Sequence, residues 1–326
     1  MDGLLVVDKP SGPTSHDVVA RMRRVLREKR IGHTGTLDPL ATGVMLLVVG
    51  KATRLAKFLS GSDKSYDAVV RLGFATDTAD AQGQPLGPVS ARPLPSRDEI
   101  DAALEPFRGT FLQQPPAFSA KKIAGQRSYT LARAAARRKP SRCEVGVSDL
   151  PAPPARPDLP ALPALASVTA HAIRIVSLDG DTVTLTVDCS AGFYIRSLAH
   201  DLGERLGVGA HLAALRRTRT GDFGLDRSIT LDAAERDPAQ AAAALVPLAG
   251  MLPGLPALVL TAEGVSRVAH GQEVRPADTA ELSTLNVPRS AFSPQPFVRL
   301  LDQRGDLVAM AQPTATGALH PSVVLM

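Results

Sequence analysis

One carboxylate, Asp38, lies in a tightly constrained loop, within the segment GHTGTLDPLATGV at residues 32–44. The glycines allow backbone conformations closed to other residues, and Pro39 fixes its own φ and biases Asp38 away from the helical region. The apolar run at 44–49 that follows predicts a strand buried on both faces. Asp38 is therefore a candidate catalytic carboxylate, although Asp before Pro also occurs in ordinary turns.

Metal and nucleotide chemistry find no support in the sequence. Cys143 and Cys189 are the only cysteines, and neither lies in a CxxC pair or near a histidine at ligand spacing. A dinucleotide fingerprint and a P-loop are also missing. We expect a site that uses neither metal nor cofactor.

The segment at 32–44 resembles the signature of the TruB family, the bacterial tRNA pseudouridine synthases that modify uridine 55 in the T-loop. The resemblance implies that Asp38 is the catalytic aspartate. It further implies an isomerisation in which the C1′–N1 glycosidic bond breaks, the uracil turns, and C1′ rejoins it through C5. Such a reaction requires an ionised carboxylate, a cation to orient it, and an aromatic ring for the everted base.

Two further motifs resemble those that hold the base in this family. Lys64-Ser65-Tyr66 matches K-x-Y, which implies that Tyr66 stacks on the target uracil, close enough for a proton-transfer role, with Lys64 among the substrate-binding residues. Leu215 begins an L-R-R-T motif and is implied to wall the uracil pocket. By themselves a tyrosine and a leucine are ordinary core residues.

Arg196 ends a G-x-Y-I-R motif that also contains Tyr194. The resemblance implies that this arginine pairs with Asp38 and that Tyr194 belongs to the substrate-binding set. A guanidinium beside Asp38 would favour the ionised carboxylate and fix its direction. A buried ion pair without a chemical role is the alternative that the residues leave open.

RNA contacts are also implied by the resemblance. His33 is expected to fill the space that the everted nucleotide leaves in the T-loop. Residues 114–129 resemble a mobile thumb that closes over the T-arm, with three candidate phosphate contacts, Lys121, Lys122 and Arg127. Lys9, in a K-P-x-G motif, has either a structural role or a phosphate-binding one.

The elements predict a mixed α+β fold with a mainly antiparallel sheet and flanking helices. Strands are expected at 4–7, 44–49 and 183–187, and helices after Ser15, as N-cap, and after a capping box of Ser96 and Glu99. The outward face of the first helix is expected to carry arginines, among them Arg21. Residues 71–95 are expected to form a strand followed by exposed loops.

Two domains are predicted, a catalytic domain at 1–247 and a small PUA-like RNA-binding β domain at 248–326. The first contains the thumb, about 114–136, and a Pro/Ala-rich insertion, about 139–166. The net charge is +5, and the basic surplus lies within residues 1–140, so RNA is expected to bind mainly there. The uncharged stretch at 241–260 contains three prolines and is interpreted as a packed linker, not a membrane helix.

The leading hypothesis is a cytoplasmic tRNA-modifying isomerase that acts as a monomer, with T-arm RNA as substrate and no membrane or protein partner. A second enzyme hypothesis is a guide-RNA-dependent pseudouridylase subunit, although such subunits lack the thumb stretch. A non-catalytic tRNA-binding or tRNA-folding protein is the third, but it would give Asp38 and Arg196 no role.

Overall fold

The structure is a computed structural model that describes residues 1–116, 163–280 and 297–326, with the backbone alone at 122–123 and 126–127. The side chains of Lys121, Lys122 and Arg127, which are predicted to contact phosphates, lie outside the described residues, as do Cys143 and most of the thumb and insertion. The helices of the described residues are α1 Ser15–Val25, α2 Ala56–Ser60, α3 Arg97–Leu104, α4 Ile195–Leu206, α5 Leu231–Arg236, α6 Pro238–Ala243 and α7 Ala262–Ala269.

The strands are numbered separately, in chain order. They are β1 Gly3–Lys9, β2 Ile31–His33, β3 Thr42–Val49, β4 Lys64–Leu72, β5 Gly109–Gln113, β6 Lys122–Ile123, β7 Gln126–Arg127, β8 Ala166–Asp179, β9 Thr182–Cys189, β10 Ala210–Thr220, β11 Phe223–Gly224, β12 Ile229–Thr230, β13 Ala257–Val259, β14 Val298–Leu301, β15 Leu307–Pro313 and β16 Leu319–Val324.

The chain divides into two compact units. Unit 1 comprises Met1–Ser62 and Arg219–Met326, and unit 2 comprises Asp63–Thr218. The C-terminal strands thus belong to the same unit as the N-terminal strands. The domain boundary predicted at 247/248 stays a prediction.

In unit 1, β3 is the central strand. It pairs antiparallel with β1, from Gly3↔Val49 to Lys9↔Gly43, and with the short β2. Every residue of β3 after Thr42 is buried, which confirms the strand expected at 44–49. Its near-continuous apolar sequence is explained by burial on both faces.

The C-terminal part of unit 1 forms a second sheet in the order β13-β14-β15-β16, which confirms the predicted small β structure. One side of this sheet shares a core with β1 and β3, in which Leu46 and Val6 belong to the same cluster as Met310 and Val323. The apolar stretch at 241–260 contributes Met251 and Leu252 to that cluster. Among the described residues, no helix is both long and apolar enough to cross a membrane.

Helix α1 begins at Ser15, one residue earlier than a Ser15 cap would require, so the prediction of Ser15 as N-cap was wrong. The N-cap is Thr14, whose side chain accepts a hydrogen bond from Asp17 N–H, while the Asp17 carboxylate accepts one from Thr14 N–H. The hydrogen bonds that the Thr14 hydroxyl and then the Thr14 N–H donate to the Asp17 carboxylate lower the pKa of Asp17. Arg21 is not simply outward, since it pairs with Glu235 of α5.

In unit 2, strands β10, β4, β9, β8 and β5 lie side by side in this order. The pairs β4–β9, β9–β8 and β8–β5 are antiparallel, and β4 and β9 bury every second residue. Helix α4 packs against α3 and β4. The predicted capping box of Ser96 and Glu99 is present at α3. Parallel pairs occur at β1–β12 and β13–β14, so the predicted mixed, mainly antiparallel α+β class is confirmed.

Candidate active site

The loop that carries Asp38 runs from the end of β2 to the start of β3, and its backbone is held on both sides of the aspartate. On one side, the Ser15 hydroxyl donates to the Leu37 carbonyl and accepts from the Leu37 N–H, each at 2.9 Å. On the other, Gly12 N–H donates to the Pro39 carbonyl at 2.8 Å. Asp38 itself is half-buried. The loop therefore presents its carboxylate from a backbone with little freedom.

Lys9 is a second support of this loop. Its side chain is fully buried, and Nζ donates to the carbonyls of Pro10, Pro39 and Ala41 at 2.9, 3.3 and 2.6 Å. These carbonyls belong to the turn before α1 and to the Asp38 loop, so the ammonium group holds the two segments together. Of the two roles that the sequence left open for Lys9, the structure supports the structural one.

His33 ends β2 and is half-buried. Its ring meets that of His16, near the start of α1, edge to face, with centroids 5.7 Å apart and an interplanar angle of 83°. His16 is exposed. Two imidazole rings thus lie beside the Asp38 loop in unit 1.

Unit 2 brings together the residues predicted to hold the base. Lys64 and Tyr66 lie on β4 and Leu215 lies on the neighbouring β10, and all three are buried, with at most 9% of each exposed. Burial, and next the positive charge of Arg217, lower the pKa of Lys64. Cys189, the cross-strand partner of Lys64, has a thiol pKa raised to about 12 by burial.

Arg196 lies in the first turn of α4 and is 5% exposed. Its guanidinium donates to the Thr78 carbonyl at 3.2 Å and lies 3.8 Å from a carboxylate oxygen of Asp80. Asp80 is equally buried and accepts hydrogen bonds from Thr78 Oγ1 at 2.6 Å and Gln82 N–H at 3.0 Å. The Arg196 guanidinium is thus held in place by Thr78 and Asp80. Its pairing with Asp38 stays a prediction.

Asp80 was missed by the sequence reasoning, which expected exposed loops here. Thr76 and Asp80 are in fact only 4% and 5% exposed. The sequence pattern that indicates a tight turn here is T-D-T-A-D-A-Q-G at 76–83, because Asp and Thr side chains before a glycine commonly form hydrogen bonds with the backbone of such a turn. The pattern predicts the turn but not its burial against Arg196.

Tyr194 precedes α4 and is half-buried. Its backbone is fixed by the amide of Gln113, which accepts from Tyr194 N–H at 2.8 Å and donates to the Tyr194 carbonyl at 3.0 Å. Ser197, one residue after Arg196, donates to the Gln114 carbonyl. The end of β5 therefore sets the start of α4, a role for Gln113 that the sequence did not reveal.

Among the described residues, no group of three or more His, Cys, Asp or Glu side chains is placed to hold a metal ion. The chemistry that these side chains offer is that of a fixed carboxylate in unit 1 and, in unit 2, a fixed guanidinium and a buried aromatic ring.

Two family models match the chain. Residues 23–152 match the N-terminal domain of TruB family pseudouridylate synthases, and residues 196–248 match the C-terminal domain of tRNA pseudouridylate synthase B. A curated relative, tRNA pseudouridine synthase B of Solibacter usitatus, is 38% identical over 330 residues, which cover 100% of both chains.

The chain belongs to the TruB family. Other relatives named tRNA pseudouridine synthase B come from Thermobifida fusca, 42% identical over 99% of this chain and 98% of the relative, and from Mycolicibacterium paratuberculosis, 47% identical over 71% and 72%. A solved structure of a Cbf5–Nop10–Gar1 complex contains a chain of similar fold, with a TM-score of 0.68, 27% identity, and coverage of 99% of this chain and 85% of that one. The TruB family resemblance of the Asp38 loop is thus part of a match along the whole chain.

Proposed function

We propose that this protein isomerises uridine 55 in the T-loop of tRNA to pseudouridine. The observation that carries the proposal is the end-to-end match with relatives named tRNA pseudouridine synthase B. The fixed loop of Asp38 and the buried base-holding residues of unit 2 provide the side chains that this reaction requires. The cytoplasmic location and action as a single chain, without a protein partner, are parts of the same proposal.

Asp38 is the proposed nucleophile. In one route its carboxylate attacks C1′ of the ribose as the bond from C1′ to N1 breaks; in the other, an elimination leads to a glycal. The uracil then turns and C5 bonds to C1′, which breaks the bond from Asp38 to C1′ in the first route and is accompanied by return of a proton to C2′ in the second. The proton at C5 is lost while N1 gains one. Bonds broken and formed balance without metal, nucleotide or external reductant.

The other residues hold the participants. Arg196 is proposed to pair with Asp38, where its charge would keep the carboxylate ionised when RNA displaces water from the site. Tyr66 stacks on the everted uracil, close enough for a proton-transfer role, and Leu215 forms a wall of the pocket. Lys64 and Tyr194 belong to the proposed substrate-binding set.

RNA recognition is proposed to depend on shape and charge. His33 enters the T-loop and fills the space of the everted nucleotide. The basic residues of the thumb contact phosphates and position the T-arm without reading its sequence, namely Lys121, Lys122 and Arg127. Binding should therefore weaken as the salt concentration rises.

A purified preparation of this chain tests the proposal with a T-arm hairpin that carries tritium at C5 of the target uridine. Because C5–H is lost on isomerisation, we expect tritium release with no cofactor, guide RNA or second protein added. A hairpin with cytidine at the target position and labelled uridines elsewhere is the matched control and should release none. Binding without release would refute the enzymatic assignment.

A second candidate, a guide-RNA-dependent subunit, is favoured by one observation, the likeness in fold to a chain of the Cbf5–Nop10–Gar1 complex. Identity to that chain is 27%, whereas identity to the relatives named above is 38–47%. Strict dependence of tritium release on an added guide RNA would support this candidate against the free-tRNA enzyme.

A further inference from the structure

We propose that Ser15 is a positioning residue, which sets the direction of the Asp38 carboxylate through the peptide group of Leu37. The inference rests on the proposed role of Asp38 as nucleophile. Ser15 lies in the first turn of α1, far along the chain from the loop, and its hydroxyl is committed to that loop by two hydrogen bonds.

The two hydrogen bonds reach both peptide groups of Leu37. The N–H that Ser15 accepts from belongs to the peptide before Leu37, and the carbonyl that it donates to belongs to the peptide between Leu37 and Asp38. A peptide group is planar, so a carbonyl held in one direction also fixes the direction in which the next Cα is attached. Ser15 thereby fixes the orientation of the peptide group that leads into the Asp38 Cα, to which the carboxylate side chain is attached.

Helix α1 does not need this hydroxyl. The cap is provided by Thr14 with Asp17, and serine inside a helix is less favourable than alanine. The hydroxyl is nevertheless buried, with 1% of Ser15 exposed, and a buried hydroxyl requires partners. The hydroxyl donates to one backbone group of Leu37 and accepts from another, so the loop and not the helix explains the serine.

The remaining supports of the loop do not depend on Ser15. The Pro39 carbonyl accepts hydrogen bonds from Gly12 N–H and from Lys9 Nζ. Leu37 is buried, with only 3% of the residue exposed. Loss of the Ser15 hydroxyl therefore leaves the loop docked but removes a hydrogen bond from one of the two peptides that flank Asp38. We expect a misdirected carboxylate in a folded protein. A displacement of about 1 Å of a catalytic group costs on the order of 100-fold in rate.

The test compares Ser15→Ala with Thr14→Ala, a neighbour that loses the helix cap and has no bond to the loop. With excess enzyme on T-arm RNA, we expect Ser15→Ala to isomerise uridine about 10- to 100-fold more slowly, with an RNA dissociation constant within about 3-fold of wild type. Thr14→Ala should melt at a lower temperature but react at the wild-type rate well below its melting point.

A conservative variant separates positioning from folding. Ser15→Cys keeps the shape with a weaker donor and acceptor, so its rate should lie between those of Ser15→Ala and wild type. The Leu37 amide should exchange its hydrogen faster in Ser15→Ala than in Thr14→Ala. A wild-type rate in Ser15→Ala, an equal loss in Thr14→Ala, or failure of both Ser15 variants to fold would each overturn the proposal in favour of a purely structural serine.

Failure of the proposed function gives a different result. If wild type forms no pseudouridine, or if Asp38→Asn retains full turnover, the assignment of Asp38 fails. If wild type is active, Asp38→Asn is inactive and Ser15→Ala reacts at the wild-type rate, the positioning role alone fails.

Discussion

The buried pair of Arg196 and Asp80 should be energetically coupled, although the charged atoms lie 3.8 Å apart. At an effective dielectric constant of about 20, two unit charges at this distance attract by about 4 kcal/mol. Asp80 keeps hydrogen bonds from Thr78 and Gln82 when the arginine is removed, which offsets part of the loss. We therefore expect a coupling free energy of about 2 kcal/mol between Arg196→Met and Asp80→Asn.

A double-mutant cycle measures this coupling. The free energy of unfolding is obtained from urea titrations of wild type, both single variants and the double variant. Circular dichroism is the suitable probe because the chain has no tryptophan. Hydrogen exchange at residues 76–82 shows whether the loss is local to the turn that holds Asp80.

A surface pair in the same unit is the matched control. Arg71 and Asp181 approach to 2.8 Å, closer than the buried pair, but their side chains are 52% and 38% exposed. Water screens such a pair, so its coupling should fall between about 0 and 1 kcal/mol. A coupling below about 0.5 kcal/mol for the buried pair, or one no larger than that of the surface pair, would refute the reasoning from burial.

Three further predictions concern buried groups. Lys9→Met should lower the free energy of unfolding by about 1–3 kcal/mol in urea titrations, because the loop carbonyls lose a charged donor; an unchanged value would contradict the structural role. In a Cys143→Ser background, Cys189 should react with Ellman's reagent only on unfolding, since a thiol pKa of about 12 in place of 9.0 leaves roughly 1000-fold less thiolate; rapid labelling of native protein would contradict this. The pKa of Lys64 is lower in the folded than in the unfolded chain. Between these two pKa values the unfolded chain therefore binds more protons, so the contribution of Lys64 to the free energy of unfolding rises as the pH rises through this window. Lys64→Met should remove this gain in paired urea titrations at pH values below the ordinary lysine pKa of 10.5, and an identical pH dependence in both proteins would contradict it.

Strong local patterns explain which parts of the fold were predictable. The run at 44–49 and the alternation at 183–187 each specify how many faces of a strand are buried, and the structure confirms both. The Ser96 and Glu99 box likewise needs only four consecutive residues. Elements whose sequence and environment agree in this way are readable without knowledge of the rest of the chain.

The predictions were wrong where the local structure depends on a segment that is distant in the sequence. Thr14 and Ser15 are both good caps, and the choice between them depends on Leu37, which occupies the Ser15 hydroxyl. The turn that contains Asp80 looks exposed because it is polar, but its carboxylate is buried beside Arg196. Sequence reasoning found Asp38 and Arg196 through family motifs, whereas their supporting residues appear only in three dimensions.

The central claim is that Asp38 performs the chemistry, and a single substitution tests it most directly. Asp38→Asn keeps the size of the side chain and removes its charge, while Asp98→Asn removes an exposed carboxylate of α3 as a control. With excess enzyme on T-arm RNA, we expect pseudouridine formation by Asp38→Asn to fall at least about 10⁴-fold, with RNA affinity within about 3-fold and Asp98→Asn fully active. Pseudouridine formation by Asp38→Asn at the wild-type rate would contradict the account.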